Sequence, residues 1–448
     1  MSLYRKESGG YKPKATPYGG MIDGQIACTA PHLLCVGPTG RGKSRRVLGP
    51  ALLIWEGPAV AISSKPDLIE LALEKRIELG GHGKTFVLDL SGKVPADRMP
   101  DGVEMVVADP VALITDDDTA IDMCEILIHN AGSGSGDKKG DPFFEDSSVA
   151  PLAGLLRAAG DDGIRWVRRA VGRIEPPDPE DRDAPCWLNA IGRLEKLGSA
   201  MLAEEIGNTA AFSDRLRDSI QATMKQAVAP WWRGNVVGPA DGRPFVPAML
   251  EDPRSTLLMV APADGIAAAA AVGVVDAISA HWRDGQTLPI PLQHLLIVCD
   301  ELCNTLPWKK LPVVITESRS MGISVLAAVQ DTTQFARRYN REIMEELRRV
   351  FPAILVLSGS QEKDLLDDAA WAAGRAERHK IGTDHAGRQS QSSEMAQVYE
   401  GSDLLPKKMS EGRLLRGSRP GADPEDAIEP AGLKVDLYDL SAFDIGAA

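Results

Sequence analysis

The chain has few aromatic residues and no long apolar run. Phe, Trp and Tyr make up 5% of its 448 residues, although 44% are hydrophobic, so aliphatic side chains must form most of the core. No stretch reaches the roughly 18 to 20 apolar residues that a membrane-spanning helix needs. The longest candidate, residues 265–279, carries Asp276 and is predicted as a buried core helix. Since residues 1–20 also lack the apolar segment of a secretory signal, the sequence predicts a cytoplasmic protein that reaches a membrane only through a partner.

Cysteine spacing and net charge bear on two further classes of protein. The six cysteines show no C-x-x-C spacing, so neither a zinc site nor a disulfide framework is indicated. Cys35 and Cys299 fall within predicted strands, where buried thiols behave as small apolar side chains. The net charge of −13 argues against a protein that coats nucleic acid over its whole surface. A basic channel confined to one face remains compatible with this charge.

One segment carries a complete phosphate-binding motif. Residues 37–44 read G-P-T-G-R-G-K-S and follow the apolar run 33–36. Glycines allow the backbone to turn successive N–H groups toward a β-phosphate, Lys43 would reach the β- and γ-phosphates, and Ser44 would hold Mg²⁺. The motif therefore predicts binding of ATP and Mg²⁺, with an ordinary glycine-rich turn as the alternative. The predicted nucleotide-binding residues are Gly37, Pro38, Thr39, Gly40, Arg41, Gly42, Lys43, Ser44 and Arg45.

Short β-rich segments occur in two blocks separated by a helical stretch. The predicted strands are 32–36, 59–63 and 85–90 in the first block, and 256–261, 294–299, 323–329 and 353–357 in the second. Between about residues 110 and 247 the apolar spacing is helical instead. We therefore predict an α/β nucleotide-binding domain in two parts, 31–109 and 248–420, with an all-α domain inserted at 110–247. Residues 1–30 are predicted as an N-terminal arm, 421–448 as a C-terminal tail, and 379–393 as a polar loop.

Two adjacent carboxylates end a predicted buried strand. The run 295–299 is L-L-I-V-C and is followed by Asp300 and Glu301, which is the form of a Walker B motif. Because side chains alternate along a strand, the two carboxylates must diverge and can take different roles. Asp300 would hold Mg²⁺, and Glu301 would polarise the water that attacks the γ-phosphate. Solvated acids at a strand end are the alternative.

Arg319 and Gln330 interrupt apolar or turn segments after the second carboxylate. Composition alone selects neither of them. An arginine beside a strand is usually a surface ion-pair partner, and a glutamine at a strand end is usually solvated.

The order of these motifs resembles the type IV coupling proteins, the TraG/TraD-like conjugative DNA-transfer ATPases of the FtsK/HerA motor superfamily. The resemblance extends from about residue 31 to about residue 417 and includes the separation of Arg319 and Gln330 from Glu301. Its motifs are H-L-L-C-V-G-P-T-G-R-G-K-S, S-S-K-P-D-L, D-P-F-F-E-D at 141–146, I-V-C-D-E and S-R-S-M-G-I-S-V-L-A-A-V-Q-D. The family's second strand often ends with an acidic residue before its lysine, where this chain has Ser63-Ser64-Lys65.

The resemblance implies a RecA-like P-loop ATPase core with an inserted all-α domain, working as a hexamer. It implies that Arg319 is a finger completing a neighbouring subunit's site and that Gln330 senses the γ-phosphate. It also implies a coupling protein or DNA translocase that passes DNA or a protein–DNA substrate to a type IV secretion machine, with relaxosome proteins as partners. Family members usually begin with a transmembrane segment, and the residues before Gly37 contain none. A soluble FtsK/HerA-like DNA pump and a nucleotide-binding recruitment adaptor with little turnover are the alternatives.

No motif in the sequence reads bases, so DNA contact depends on charge and stacking. Lys138 and Lys139, and the arginines of the segment 165–169, are candidate phosphate contacts, with a solvated surface as the alternative. Trp231-Trp232-Arg233 could stack unpaired bases, but packing of the insert against the core is the favoured interpretation.

Overall fold

The structure is a computed structural model. It describes residues 4–7, 10–13, 16–29, 31–81, 84–131, 141–181, 183–263, 265, 267–317, 321–383, 389–420 and 429–442. No helix in this part of the chain combines the length and apolar character needed to cross a bilayer.

The described strands form one sheet of 13 strands and two hairpins. The strands are β1 Tyr4–Glu7, β2 Gly10–Pro13, β3 Thr16–Ile22, β4 Gln25–Thr29, β5 Leu33–Val36, β6 Ala59–Ser63, β7 Thr85–Asp89, β8 Val103–Val107, β9 Arg243–Pro244, β10 Thr256–Val260, β11 Leu295–Cys299, β12 Ile323–Val329, β13 Ala353–Leu357, β14 Arg375–Thr383, β15 Gln389–Gln397, β16 Glu411–Leu415 and β17 Leu433–Leu437. The order across the large sheet is β4-β3-β17-β16-β13-β5-β12-β11-β6-β10-β7-β8-β9.

Helices cover both faces of this sheet. The α-helices of the described residues are α1 Gly49–Ile54, α2 Asp67–Gly80, α3 Asp117–Asn130, α4 Pro142–Ala159, α5 Gly163–Ala170, α6 Trp187–Leu197, α7 Ala200–Ala210, α8 Asp214–Ala227, α9 Gly234–Val237, α10 Ala268–Gly285, α11 Leu302–Thr305, α12 Leu311–Thr316, α13 Thr333–Arg338, α14 Arg341–Val350, α15 Lys363–Ala372 and α16 Gly401–Leu404. A π-helical segment, Lys43–Leu48, leads into α1.

The centre of the sheet is parallel and fully buried. Strand β5 lies between β12 and β13, and β11 lies between β12 and β6, all in parallel register. All seven predicted strands are confirmed. They could be predicted because continuous apolar runs are typical of strands covered on both faces. Parallel strands share their carboxyl edge, so the segments that follow β5, β6, β11 and β12 meet at one edge of the sheet.

An antiparallel extension completes one side of the sheet. Strand β16 pairs with β13, β17 with β16, β3 with β17, and β4 with β3, all antiparallel. Residues 16–29 and 433–437, which fall in the predicted arm and tail, are therefore strands of the main sheet. The arm and tail were predicted without strands. Strands β3 and β4 form a local hairpin through the turn at Asp23 and Gly24, whereas the pairing of β3 with β17 joins segments far apart in sequence.

The inserted segment is helical and shares a core with the sheet. Within the described residues of 110–247, α3 to α9 are joined by one two-residue strand, β9, which pairs with β8. Helix α3 packs closely on α10. A Cβ added to Gly273 of α10 would lie only 3.2 Å from Sδ of Met123 in α3. Trp231 is buried and donates from Nε1 to the Ala108 carbonyl at 2.7 Å. These contacts confirm the packing interpretation for Trp231.

A hairpin replaces the predicted polar loop at 379–393. Strands β14 and β15 pair antiparallel from Arg375↔Gln397 to Thr383↔Gln389. The loop prediction is therefore wrong over 379–383 and 389–393, while residues 384–388 lie outside the described part of the chain. The hairpin was missed because its sequence lacks the apolar and polar alternation of a half-buried strand.

Candidate nucleotide site

The phosphate-binding motif forms the loop between β5 and the π-helical segment. Gly40 and Gly42 have φ values of +77° and +83°, in the left-handed region that favours glycine. A Cβ on Gly37 would lie 2.8 Å from Cβ of Leu357, so only glycine fits between this loop and β13. The loop is held to the next strand by the Gly37 amide, which donates to the Val329 carbonyl at 3.2 Å.

Lys43 is folded back over this loop. The residue is 8% exposed, and its ammonium donates to the carbonyls of Gly37 at 2.6 Å and Pro38 at 3.2 Å. These neutral acceptors bind two of the three N–H groups of the ammonium without neutralising its charge. The side chain is therefore placed to bind an anion seated in the loop.

Ser44 and Asp300 meet although 256 residues separate them. The Ser44 hydroxyl donates to Oδ2 of Asp300 at 2.7 Å, because the phosphate loop and the segment after β11 share one edge of the sheet. Asp300 is 6% exposed. Burial raises the pKa of its carboxyl, the Ser44 hydrogen bond lowers it, and the neighbouring Asp67 carboxylate raises it again.

The surroundings of Asp300 fit a divalent cation. The Asp300 carboxylate is buried near the acids Asp67 and Glu301, and a bound cation would offset this negative charge. Mg²⁺ in nucleotide sites is usually held by one or two protein oxygens plus substrate phosphates. Among the described residues, no three His, Cys, Asp or Glu side chains gather as a separate metal-binding cluster. Ser44 and Asp300 are thus the side chains that would hold Mg²⁺ at this edge.

Glu301 diverges from Asp300 and faces two neighbouring strand ends. Its Oε1 accepts from Nε2 of Gln330, and its Oε2 accepts from the Ser64 hydroxyl, both at 3.3 Å. Its backbone has φ +51° and ψ +48°, a left-handed conformation that costs a non-glycine residue roughly 1 kcal/mol or more. This turn ends β11 and directs the Glu301 carboxylate between the ends of β6 and β12.

A hydrogen bond from its backbone N–H holds Gln330 at the end of β12. Its amide N–H donates to Oε1 of Gln334 at 3.1 Å, while its side chain donates to Glu301. The structure therefore brings Gln330 and Glu301 together with the phosphate loop nearby. Arg319 lies outside the described residues, so its role stays a prediction.

Other residues of the motif contact segments that sequence reasoning did not connect to it. Arg45 binds the Asp439 carboxylate at 2.7 and 3.1 Å, and this guanidinium holds the pKa of Asp439 well below its usual range. A Cβ on Gly359 would lie 3.1 Å from Nε of Arg41. Thr39 and Gly40 are exposed. The predicted tail thus packs on the helix that follows the phosphate loop.

Sequence reasoning also missed Ser64 as a site residue. Its only signal was the departure of Ser63-Ser64-Lys65 from the family pattern. In the structure Ser63 donates to Oδ1 of Asp67 at 2.7 Å, while Ser64 contacts Glu301. The two serines therefore divide between anchoring α2 and contacting the predicted catalytic carboxylate.

The candidate DNA contacts differ in their surroundings. Trp232 is 60% exposed, with the guanidinium of Arg168 4.4 Å from its ring centroid. Arg165 donates to the Gly238 carbonyl at 2.5 Å, whereas Arg169 is exposed. Lys138 and Lys139 lie in 132–140, outside the described residues.

Comparisons with known proteins agree with this architecture. Residues 294–409 match the family model described as the TraM recognition site of TraD and TraG. The bacterial conjugative coupling protein TrwBdeltaN70, in an unbound form, is similar with a TM-score of 0.57 and 20% identity over 92% of this chain and 87% of that chain. The plasmid coupling protein TrwB in complex with the ATP analogue ADPNP gives 0.55 and 18% over 91% and 85%.

A third similar structure is TrwB with ADP and Mg²⁺, with a TM-score of 0.54 and 18% identity over 91% of this chain and 84% of that chain. No curated protein sequence matches this chain. The predicted resemblance to type IV coupling proteins and the predicted fold class are confirmed by these comparisons.

Proposed function

We propose that the chain is an ATP-hydrolysing coupling protein that passes DNA or a protein–DNA substrate to a type IV secretion machine. The observation that carries this proposal is the 2.7 Å hydrogen bond between Ser44 and Asp300, with Glu301 held beside it by Ser64 and Gln330. A chain that only bound nucleotide would not need a carboxylate positioned to activate water.

Each residue of the site has a separate part in the proposed hydrolysis. Lys43 and the loop amides bind the phosphates, and Ser44 and Asp300 hold Mg²⁺, which when bound offsets phosphate charge. Glu301 orients the attacking water and accepts its proton. The side-chain amide of Gln330 donates to Glu301. A γ-phosphate that draws this side chain away would therefore change how Glu301 is held.

The comparisons support the partner assignment, whereas the assembly assignment rests on the resemblance of the sequence motifs. TrwB is described as a conjugative coupling protein, and the matched family model as a TraM recognition site. By this likeness, residues 294–409 contact a DNA-processing protein of the relaxosome. The active form is a hexamer in which Arg319 of one subunit completes the site of the next.

The test is ATP hydrolysis by the full chain over a series of protein concentrations, with and without DNA. We expect specific activity to rise with protein concentration and DNA to lower the concentration required. Lys43→Ala is the control, since hydrolysis that survives in this variant comes from a contaminant. Nucleotide binding with negligible turnover under every condition would instead favour a recruitment adaptor. DNA-dependent turnover without binding to any relaxosome protein would favour a soluble DNA pump.

A further inference from the structure

A polar cavity lies beside the segment that follows Gln330, on the face of the sheet covered by α10, α11 and α13. Its volume is about 160 Å³. It is lined by Ala263, Gly265, Cys303, Asn304, Gln334, Arg337 and Arg338. Ala263 and Gly265 follow β10, whereas Cys303 and Asn304 belong to α11, directly after Glu301. The remaining three belong to α13, which begins three residues after Gln330, so both walls of the cavity are close in sequence to the nucleotide site.

The cavity carries positive charge without a described counter-charge. Arg337 and Arg338 both line it, and none of the described lining residues is acidic. Nη2 of Arg338 is buried and has no hydrogen-bond partner. Such an atom normally finds a protein or solvent acceptor. Burial also lowers the pKa of Arg338, as expected for a guanidinium that lacks a compensating anion.

Neutral donors complete the lining. Oε1 of Gln334 accepts from the backbone N–H of Gln330, so the NH₂ group of Gln334 remains available as a donor. Asn304 contributes a second side-chain amide. Guanidinium and amide side chains around a small cavity match a tetrahedral oxyanion, which accepts several hydrogen bonds at once.

We propose that this cavity binds a phosphate group, either free inorganic phosphate or a backbone phosphate of nucleic acid, and that Gln334 relays its occupancy to Gln330. An anion bound to Arg338 would draw the Gln334 side chain toward it and alter the hydrogen bond that holds the Gln330 backbone. The binding step is independent of hydrolysis, whereas the relay rests on the proposed ATPase function.

Equilibrium dialysis with radiolabelled inorganic phosphate tests the binding step. The full chain carries Lys43→Ala, which weakens the phosphate loop as a competing site, and we expect it to retain one phosphate per chain. Adding Arg338→Gln should weaken this binding at least tenfold, because a hydrogen bond to a charged group contributes about 1.5 to 3 kcal/mol. Arg341→Gln is the matched control, since Arg341 is exposed on the next helix and should leave the affinity unchanged.

Two results would overturn the site. One is no phosphate binding by the Lys43→Ala chain, and the other is equal affinity with and without Arg338→Gln. Asp264 lies between two lining residues in sequence but outside the described part of the chain, so Asp264→Asn is included. Binding that appears only in this variant would mean that Asp264 neutralises Arg338, which also overturns the proposal. If Arg338→Gln fails to fold, Gln334→Ala replaces it, with weaker binding expected and unchanged binding contradicting the site.

Further arms identify the phosphate source and test the relay. Displacement of labelled phosphate by a short oligonucleotide identifies the nucleic-acid backbone as the source, and no displacement identifies inorganic phosphate. For the relay, added phosphate should change ATP turnover in the chain with Lys43 intact and should not do so after Arg338→Gln. The same response in both proteins refutes the relay. A chain that binds phosphate but never hydrolyses ATP refutes the proposed function while the cavity assignment stands.

Discussion

Replacing Glu301 with glutamine should abolish turnover and leave ATP affinity nearly intact. The glutamine keeps the shape of the side chain and one oxygen that can accept from Ser64 or Gln330, whose bonds to Glu301 are both 3.3 Å long. It loses the capacity to accept a proton from water. That loss costs about 10² to 10⁴ in rate, or about 2.7 to 5.4 kcal/mol of activation free energy.

The structure supplies a control that separates chemistry from positioning. Ser64→Ala removes one hydrogen bond to the same carboxylate but leaves the base. Because that bond is long, at 3.3 Å, the cost should lie near the lower limit of about 1.5 kcal/mol for a hydrogen bond to a charged group, roughly tenfold in rate. Lys43 contacts the loop carbonyls and not Glu301, so Lys43→Ala should weaken ATP binding. The three variants should therefore separate into loss of chemistry, mild loss of positioning and loss of affinity.

Turnover is measured by phosphate release at saturating ATP, and affinity by titration calorimetry with a non-hydrolysable analogue. Equal loss of affinity in Glu301→Gln and Lys43→Ala would refute the division of roles between these residues. Retention of more than a tenth of the wild-type rate by Glu301→Gln would refute Glu301 as the base. A Ser64→Ala defect as large as that of Glu301→Gln would mean that position, rather than proton transfer, limits the rate.

Three further predictions concern assembly, pH and the insert. Arg319→Ala and Glu301→Gln should each be inactive, and mixing them should restore measurable hydrolysis, because one interface can pair an intact Glu301 with an intact Arg319; no recovery in co-assembled mixtures contradicts a finger supplied in trans. Burial lowers the pKa of His32 to about 3 from 6.5, so the free energy of unfolding should fall as pH drops from about 6.5 toward 3, by up to about 1.4 kcal/mol per unit from this group. In denaturant titrations at several pH values, His32→Asn should flatten this dependence, and an unchanged slope would exclude His32 as its source. Deleting 110–247 should abolish a cooperative thermal transition, since it uncovers the face of α10, and a sharp transition in the deleted chain would show that the core does not need the insert.

Sequence reasoning reached the central strands and the phosphate loop because their signals are local. Continuous apolar runs mark strands covered on both faces, and the loop's glycines and lysine lie within eight residues of one another. The strands of the antiparallel extension carried weaker signals. Strand β17 reads L-K-V-D-L, and its partner β3 lies more than 400 residues earlier, at the register Leu437↔Gly20. Nothing local to either segment indicates that pairing.

The contacts within the site depend on strand order, which motif spacing does not give. Ser64 reaches Glu301 because β6 is the neighbour of β11, and Gln330 reaches it because β12 is the neighbour on the other side. A different order of the same strands would keep every motif and separate these side chains. Alternation along a strand predicted that Asp300 and Glu301 diverge. It could not predict that a serine at the end of the second strand contacts the glutamate, since that contact depends on strand order.

The left-handed turn at Glu301 connects the two sites described above. An extended residue there would continue β11 away from the sheet edge, whereas φ +51° starts α11 at once. Helix α11 then brings Asn304 to the cavity while its first turn holds the Glu301 carboxylate beside Gln330. On the next strand, Gln330 and Gln334 repeat this arrangement, with one side chain in the nucleotide site and the other in the cavity. Two adjacent strand ends thus each carry one residue of the nucleotide site and one residue that lines the cavity, so we expect a movement of α11 or α13 at one site to change the other.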